Sequence, residues 1–231
     1  MAQSRANDAR EPVASSGGVA VELAARRWGG RVAKRAVDVV IASLALVVLA
    51  PIFAVVAFLV TRTGPGPVLF RQTRIGHRQA PFTILKFRTM VPDSDDAAHR
   101  DFVAAQLRRT ARADRDLILD DARITPLGAR LRRTSIDELP QLLNVLRGQM
   151  SLVGPRPCLP WEMSMFEPGD QRRFEVKPGL TGLWQVSGRN DLSMREALDL
   201  DVEYVDRRSI RLDAWILLRT IPVVLRCRGA R

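Results

Sequence analysis

Between Val39 and Val60 the chain carries an uninterrupted uncharged run, VVIASLALVVLAPIFAVVAFLV, and no other segment restricts the fold as strongly. At about 1.5 Å per helical residue it is long enough to cross a hydrocarbon layer of ~30 Å. A cleavable signal peptide does not fit, because the run starts almost forty residues in and lacks a small-x-small exit. Pro51 lies near its middle, where it removes a backbone donor and collides with the carbonyl of Val47. A sharp bend is expected there, leaving arms of roughly 18 Å and 14 Å, each about half a bilayer core. Arg26, Arg27, Arg31, Lys34 and Arg35 precede the run, and Arg62, Arg71 and Arg74 follow it. The positive-inside rule therefore favours both ends on the cytoplasmic side. A re-entrant helix over 31–62, bent at Pro51, satisfies that distribution; an ordinary kinked transmembrane helix is the alternative.

The remainder predicts one compact α/β domain, mainly helical with short strands, over 63–231, consistent with what 231 residues can enclose. Residues 1–30 mix Ala, Ser, Gly, Arg and Glu without an apolar period and read as a disordered extension. Gly64-Pro65-Gly66-Pro67 is a rigid turn, and VLFRQTRIGHRQAPFTILKFRTM reads as two strands around Gly76, with Lys86 and Arg88 on one face of the second. Residues 93–116 are expected to be a charged helix, so that Asp93-x-Asp95-Asp96 matches a helix dipole and carries no catalytic role. Thr125-Pro126 predicts an N-cap with proline at the first helical position. Ser193 and Glu196 form a capping-box pattern opening an amphipathic helix through Leu198, Val202 and Val205. The last segment, RLDAWILLRTIPVVLRCR, is too interrupted by Arg219, Thr220 and Pro222 to span a bilayer. Trp215 among arginines suits an interfacial amphipathic helix, and a packed core helix is the alternative.

A net charge of +11 calls for an anionic partner: nucleic acid, anionic lipid or a phosphorylated substrate. Two cysteines and two histidines are too few for a disulfide framework or a thiolate or imidazole zinc site. Any metal should be a hard cation on carboxylate and phosphate oxygens. The chemistry concentrates in LRRTSIDELPQLLNVLRGQMSLVGPRP, where Asp137 and Glu138 precede Pro140 and are easiest to place in or just before a helix's first turn. Helix-start amides would keep both carboxylates ionised, and an ionised Asp is a nucleophile that needs no general base. The competing reading is a plain Ser135-x-x-Glu138 capping box. Arg130, Arg132 and Arg133 before the pair, with Arg147 and Arg156 after it, supply guanidinium groups able to grip phosphate oxygens. The loop VKPGLTGLWQVSGRN adds Gln185, Arg189 and Asn190 on a glycine-rich backbone suited to a nucleotide.

From Lys34 onward the strings KRAVDVV, GPGPVLFRQTRIG, LKFRTM, RRTSIDELPQLLNVLRGQMSLVGPRP, PGLTGLWQVSGRN and LDVEYV resemble the bacterial sugar transferase family, the monotopic polyprenyl-phosphate glycosyl-1-phosphate transferases. The resemblance implies a catalytic domain seated on one membrane face by a re-entrant helix and interfacial helices. It implies that Asp137 of the Asp137-Glu138 dyad attacks a nucleotide diphosphate sugar in the presence of Mg²⁺, held by Asp137 and Glu138. Lys86, Arg132 and Arg156 would contact phosphate, with Arg88, Gln185 and Arg189 as further phosphate- or substrate-binding candidates, and the PGLTG and SGRN strings would serve the nucleotide. Two positions depart from the family pattern: Ala50 stands where Ser often precedes the membrane proline, and Trp184 where a small residue is frequent.

The function this implies is transfer of a hexose-1-phosphate from a UDP-sugar to undecaprenyl phosphate at the cytoplasmic membrane. The expected partners are UDP-sugar, polyprenyl phosphate and membrane lipid, without nucleic acid, and a homo-oligomer stays open. A non-catalytic basic module tethered to the membrane, binding nucleic acid or lipid, explains the charge equally well. It leaves the acidic pair inside the basic segment unexplained, since carboxylates repel phosphate. An inactive scaffold relative is the third reading, against which the intact Asp137-Glu138 pair argues. Asn144→Asp, close by in sequence, is expected to leave turnover intact.

Overall fold

The computed structural model describes residues 16–91, 123–188 and 192–225, with side chains at 16–29 and 225 excepted. The expected helix over 93–116 with Asp93, Asp95 and Asp96, and the nucleotide-loop residues Arg189 and Asn190, lie outside the described residues. Helix α1 runs Ser16–Thr61 with Pro51 inside it. It reaches back into the stretch expected as an extension, and it continues through Pro51 as one helix, so the sharp reversal expected there is not seen.

What α1 does show is a two-sided surface. Asp38, Ala42, Ala45, Leu49, Phe53, Val56 and Val60 recur at spacings of three and four and form its domain-facing stripe. Val40, Leu44, Val47, Val48, Ile52, Val55, Phe58 and Leu59 are exposed between them, on a helix long and apolar enough to cross a membrane. Water would not tolerate such a face; lipid would. Because the stripe starts just before the apolar run and ends with it, the parts of the run on both sides of Pro51 lie against the same domain.

The base of α1 is tied by polar contacts. Arg35 donates to the carbonyls of Val145 (2.6 Å) and Leu146 (2.8 Å), supplying a cation at the end of helix α3, Gln141–Leu146. Lys34 meets Asp213 at 2.6 Å, and Asp38 accepts the amide of Leu152 at 3.1 Å. Tyr204, fully buried, reaches Asp213 at 2.8 Å and the Val153 carbonyl at 3.1 Å.

The two expected strands form as β1 (Leu69–Ile75) and β2 (Pro81–Phe87), antiparallel in the register Leu69↔Phe87 to Ile75↔Pro81. The turn between them is a 3₁₀ segment, His77–Gln79, in which Arg78 and Gln79 hold positive φ. Helix α2 (Pro126–Arg133) begins as its sequence signals, with the Thr125 hydroxyl accepting the Gly128 amide at 2.9 Å. Gly128 is required there: a Cβ would sit 2.0 Å from the Thr89 carbonyl oxygen.

A parallel pair, β3 (Ser151–Val153) and β4 (Gly179–Thr181), lies beside α3, with the short helix α4 (Pro160–Met163), a 3₁₀ segment Pro168–Glu175 and helix α5 (Leu183–Ser187) around it. Helix α6 (Met194–Arg207) carries the predicted capping box, with the Ser193 amide donating to Glu196 at 2.8 Å. Helix α7 (Ile210–Leu225) buries Ile216 and exposes Trp215, Leu218 and Ile221, with Arg219 stacked over Trp215 at 5.3 Å. Its outer face is a second exposed apolar surface. The main core gathers Ala42, Ile84, Leu142, Val145, Met150, Val153, Tyr204 and Ile216 from α1, β2, α3, β3 with the residue before it, and the last two helices.

Candidate active site

The Asp137-Glu138 pair sits on a single 3₁₀ turn, Ile136–Glu138, between α2 and α3. Ser135 adopts a left-handed backbone (φ 56°) and its side chain makes no cap hydrogen bond, so the plain capping-box reading is not realised. Such geometry is uncommon for a residue with a side chain, and it turns the chain so that the two acids face different surroundings. Asp137 is buried, whereas Glu138 is half-buried and meets the ammonium of Lys86 at 2.6 Å.

The electrostatics differ from the expectation of two ionised acids at a helix start. Burial pushes the Asp137 carboxyl above its ordinary range; Lys86 opposes that push, Glu138 adds to it and Arg132 opposes it. The physical reason is that one 3₁₀ turn offers little dipole, while the surrounding protein removes water. A carboxylate stripped of water is a stronger nucleophile than a solvated one, and the two cations beside it favour its ionised form.

The cations named from sequence separate into two sets. Lys86 on β2 and Arg132 on α2 converge on the pair, Arg132 through an Nε hydrogen bond of 2.9 Å to Thr89 that sets its reach. Arg88 does not join them. It is buried, and its guanidinium donates to the carbonyls of Val60, Gly64 and Pro65 at 3.1, 2.8 and 2.5 Å, which fastens the end of α1 and the Gly-Pro turn to β2.

Arg156 lies on the loop after β3. It is half-buried and forms no ion pair with any described residue. That loop and the Pro178-Gly179 segment approach backbone to backbone: a Cβ on Gly179 would lie 2.1 Å from the Gly154 nitrogen. Gln185 donates weakly to Leu180 at 3.4 Å, and its Oε1, like the indole Nε1 of its neighbour Trp184, is buried without a hydrogen-bond partner among the described residues. Such orphaned atoms are uncommon in folded proteins and suit a site that a polar ligand completes. No cluster of three or more metal-ligating side chains occurs among the described residues.

The chain matches the family described as bacterial sugar transferase over residues 29–227. It belongs to that family. Exopolysaccharide production protein ExoY of Sinorhizobium fredii is 42% identical over 213 residues, covering 90% of this chain and 92% of that protein. UDP-glucose:undecaprenyl-phosphate glucose-1-phosphate transferase of Caulobacter vibrioides is 41% identical over 223 residues, covering 90% of this chain and 78% of its own. Undecaprenyl-phosphate galactose phosphotransferase of Salmonella typhimurium is 40% identical over 201 residues, which is 87% of this chain and 42% of that longer protein.

In this bacterial sugar transferase three residues near the site had no role assigned from sequence. Arg74 on β1 was counted only among the charges flanking the apolar run. It is buried, donates to Gln72 at 2.8 and 3.1 Å and to the Pro157 carbonyl at 3.2 Å, and burial together with the like charge of Arg156 lowers its pKa to about 10. Arg173 and Asp201 form a buried pair at 2.7 Å. Burial raises the Asp201 carboxyl to about 6, against the pull of Arg173 and of the Arg156 backbone amide. An arginine inside a strand and an acid inside a helix carry no local signature that separates them from solvated surface charges; only the packing of distant segments does.

Proposed function

We propose that this enzyme moves a hexose-1-phosphate from a UDP-sugar to undecaprenyl phosphate, as a first membrane step of exopolysaccharide or other glycoconjugate synthesis. The observation that carries the reading is a desolvated Asp137 carboxylate set between Lys86 and Arg132. The names of the Caulobacter and Salmonella relatives point to the same donor class and lipid carrier. An Asp137 oxygen attacks the sugar-bearing phosphorus, a P–O bond forms, and the bond to the bridging oxygen breaks as UMP leaves with the electron pair. A phosphate oxygen of the lipid then attacks that phosphorus and releases Asp137 as a carboxylate.

Lys86, Arg132 and Arg156 take up charge on the equatorial oxygens as it develops. Glu138 keeps Lys86 close to the nucleophile. The two adjacent carboxylates suit Mg²⁺ shared with substrate oxygens, since this ion is held by one or two carboxylates plus phosphate and does not need a full protein cage. Asp137 and Glu138 would hold it, and when bound it offsets diphosphate charge. Gln185 and the loop that follows α5 would face the nucleotide. A nucleic-acid-binding module is disfavoured by the same feature that supports catalysis, because a buried acid among the cations repels a polyanion.

The proposed seating is monotopic, with the catalytic body and both ends of α1 on the cytoplasmic side of the membrane. Support comes from the domain-facing stripe: at about 1.5 Å per residue, contacts from Asp38 to Val60 extend over ~33 Å, and a perpendicular spanning helix would draw the polar domain through the bilayer. Single cysteines at Ser15 and, separately, at exposed Ser164, with Cys158 and Cys227 replaced, should both resist an impermeant thiol reagent in intact cells and react after lysis. Labelling of Ser15 alone in intact cells would establish a spanning helix. The catalytic reading is tested by UMP release across a panel of UDP-sugars with and without undecaprenyl phosphate: UDP-hexose turnover that depends on the lipid is expected, and no release from any UDP-sugar would remove it.

A further inference from the structure

Four consecutive carbonyls in the loop after β3 are each held by a donor from elsewhere in the fold. Pro155 accepts the Gly179 amide at 2.8 Å, Arg156 accepts Arg173 Nη2 at 2.6 Å, Pro157 accepts Arg74 Nη1 at 3.2 Å and Cys158 accepts the Ile75 amide at 2.8 Å. Prolines on both sides of Arg156 narrow its backbone further, the second by excluding helical conformations at the residue before it. A loop that carried Arg156 as a solvated surface charge would need none of this.

The strongest of these ties is an ion pair. Arg173 Nη2 donates simultaneously to the Arg156 carbonyl and to Asp201 Oδ2 at 2.7 Å, and the side chains of the pair are 5% and 3% exposed. Phe166 and Phe174 lie 5.0 and 5.9 Å from the guanidinium and fix its plane. The backbone N–H of Arg156 is close enough to the Asp201 carboxylate to favour its ionised form, although Oδ1 is left without a full hydrogen bond. Both backbone groups of Arg156 thus face one buried pair, while its side chain forms no ion pair with any described residue. Buried ion pairs add little net stability over apolar packing, so net stability is a weak reason for placing one here.

We propose that Arg173 and Asp201 are positioning residues for Arg156, acting through its backbone to hold the guanidinium where the donor's diphosphate binds. The proposal rests on the phosphate-binding reading of Arg156 given above. The full chain in lipid nanodiscs, assayed for UMP release from the UDP-sugar it uses, distinguishes the two. Arg156→Ala alone should raise KM for the UDP-sugar and lower kcat/KM at least about thirtyfold; no effect would sink the phosphate reading itself. Asp201→Asn should lower kcat/KM about tenfold in the otherwise native chain and less than about twofold when Arg156 is already Ala, the signature of action through that residue. An equal loss in both backgrounds, or no loss in the native one, overturns the positioning role. If thermal melting shows Asp201→Asn unfolded, Arg173→Lys takes its place, with a smaller loss of about threefold that must likewise vanish in the Arg156→Ala background.

Discussion

Replacing Asp137 with Asn is expected to reduce UMP release at least about a thousandfold, a barrier increase of roughly 4 kcal/mol, because the amide preserves shape and removes the nucleophile. The same change should leave the melting temperature unchanged or raise it. Burial raises the folded pKa of Asp137, so its ionised form is favoured less in the native than in the unfolded chain; the stability present when it is protonated is lost as pH rises through that folded value. A neutral Asn never incurs that loss. A site that costs stability and returns chemistry is the arrangement expected of a functional acid. The acid limb of kcat/KM against pH should fall with a midpoint above 3.8, the ordinary Asp value, since the free enzyme reacts through the carboxylate. Asp137→Asn protein retaining a tenth of native turnover would exclude covalent catalysis at this residue.

Asn144→Asp is expected to be the most damaging single-atom-scale change outside the acidic pair, and this reverses the role expected for it as a neutral neighbour. Asn144 is fully buried. Its Nδ2 donates to the Thr83 carbonyl at 2.7 Å and to Gln149 at 2.8 Å, while Oδ1 accepts the Leu85 amide at 3.1 Å, so one side chain pins β2 to α3. An Asp there sets a carboxylate oxygen against two acceptors and buries a charge without a partner, costing about 3 kcal/mol or more. For a chain of this size that corresponds to a drop in melting temperature on the order of 10 °C. Turnover should fall as well, because α3 follows directly from the catalytic turn and β2 carries Lys86. A melting temperature within about 2 °C of the native value would show that the Asn144 bridge contributes nothing.

Features that rest on local chemistry were legible in the sequence. The Thr125-Pro126 start, the Ser193–Glu196 box and the hairpin around Gly76 all depend on neighbours a few residues apart, and all three form. The acidic pair was legible as a candidate because carboxylates beside Pro140 among arginines are unusual. Its electrostatics were not, because desolvation of Asp137 depends on segments more than forty residues away. Arg88 illustrates the same limit from the other side: alternation places it beside Lys86, but the carbonyls released at the end of α1 claim its guanidinium. Pro51 predicted a sharp bend, and the helix continues past it because packing of α1 on the domain extends on both sides of the proline.

The account stands most directly on the mass of the intact protein after brief incubation with its UDP-sugar and Mg²⁺ in the absence of lipid, quenched in acid. Native protein should gain the mass of one hexose phosphate and release one UMP per chain, Asp137→Asn should gain nothing, and added undecaprenyl phosphate should discharge the adduct. UMP released only when lipid is present, with the protein mass unchanged throughout, would contradict it and establish direct transfer from donor to acceptor.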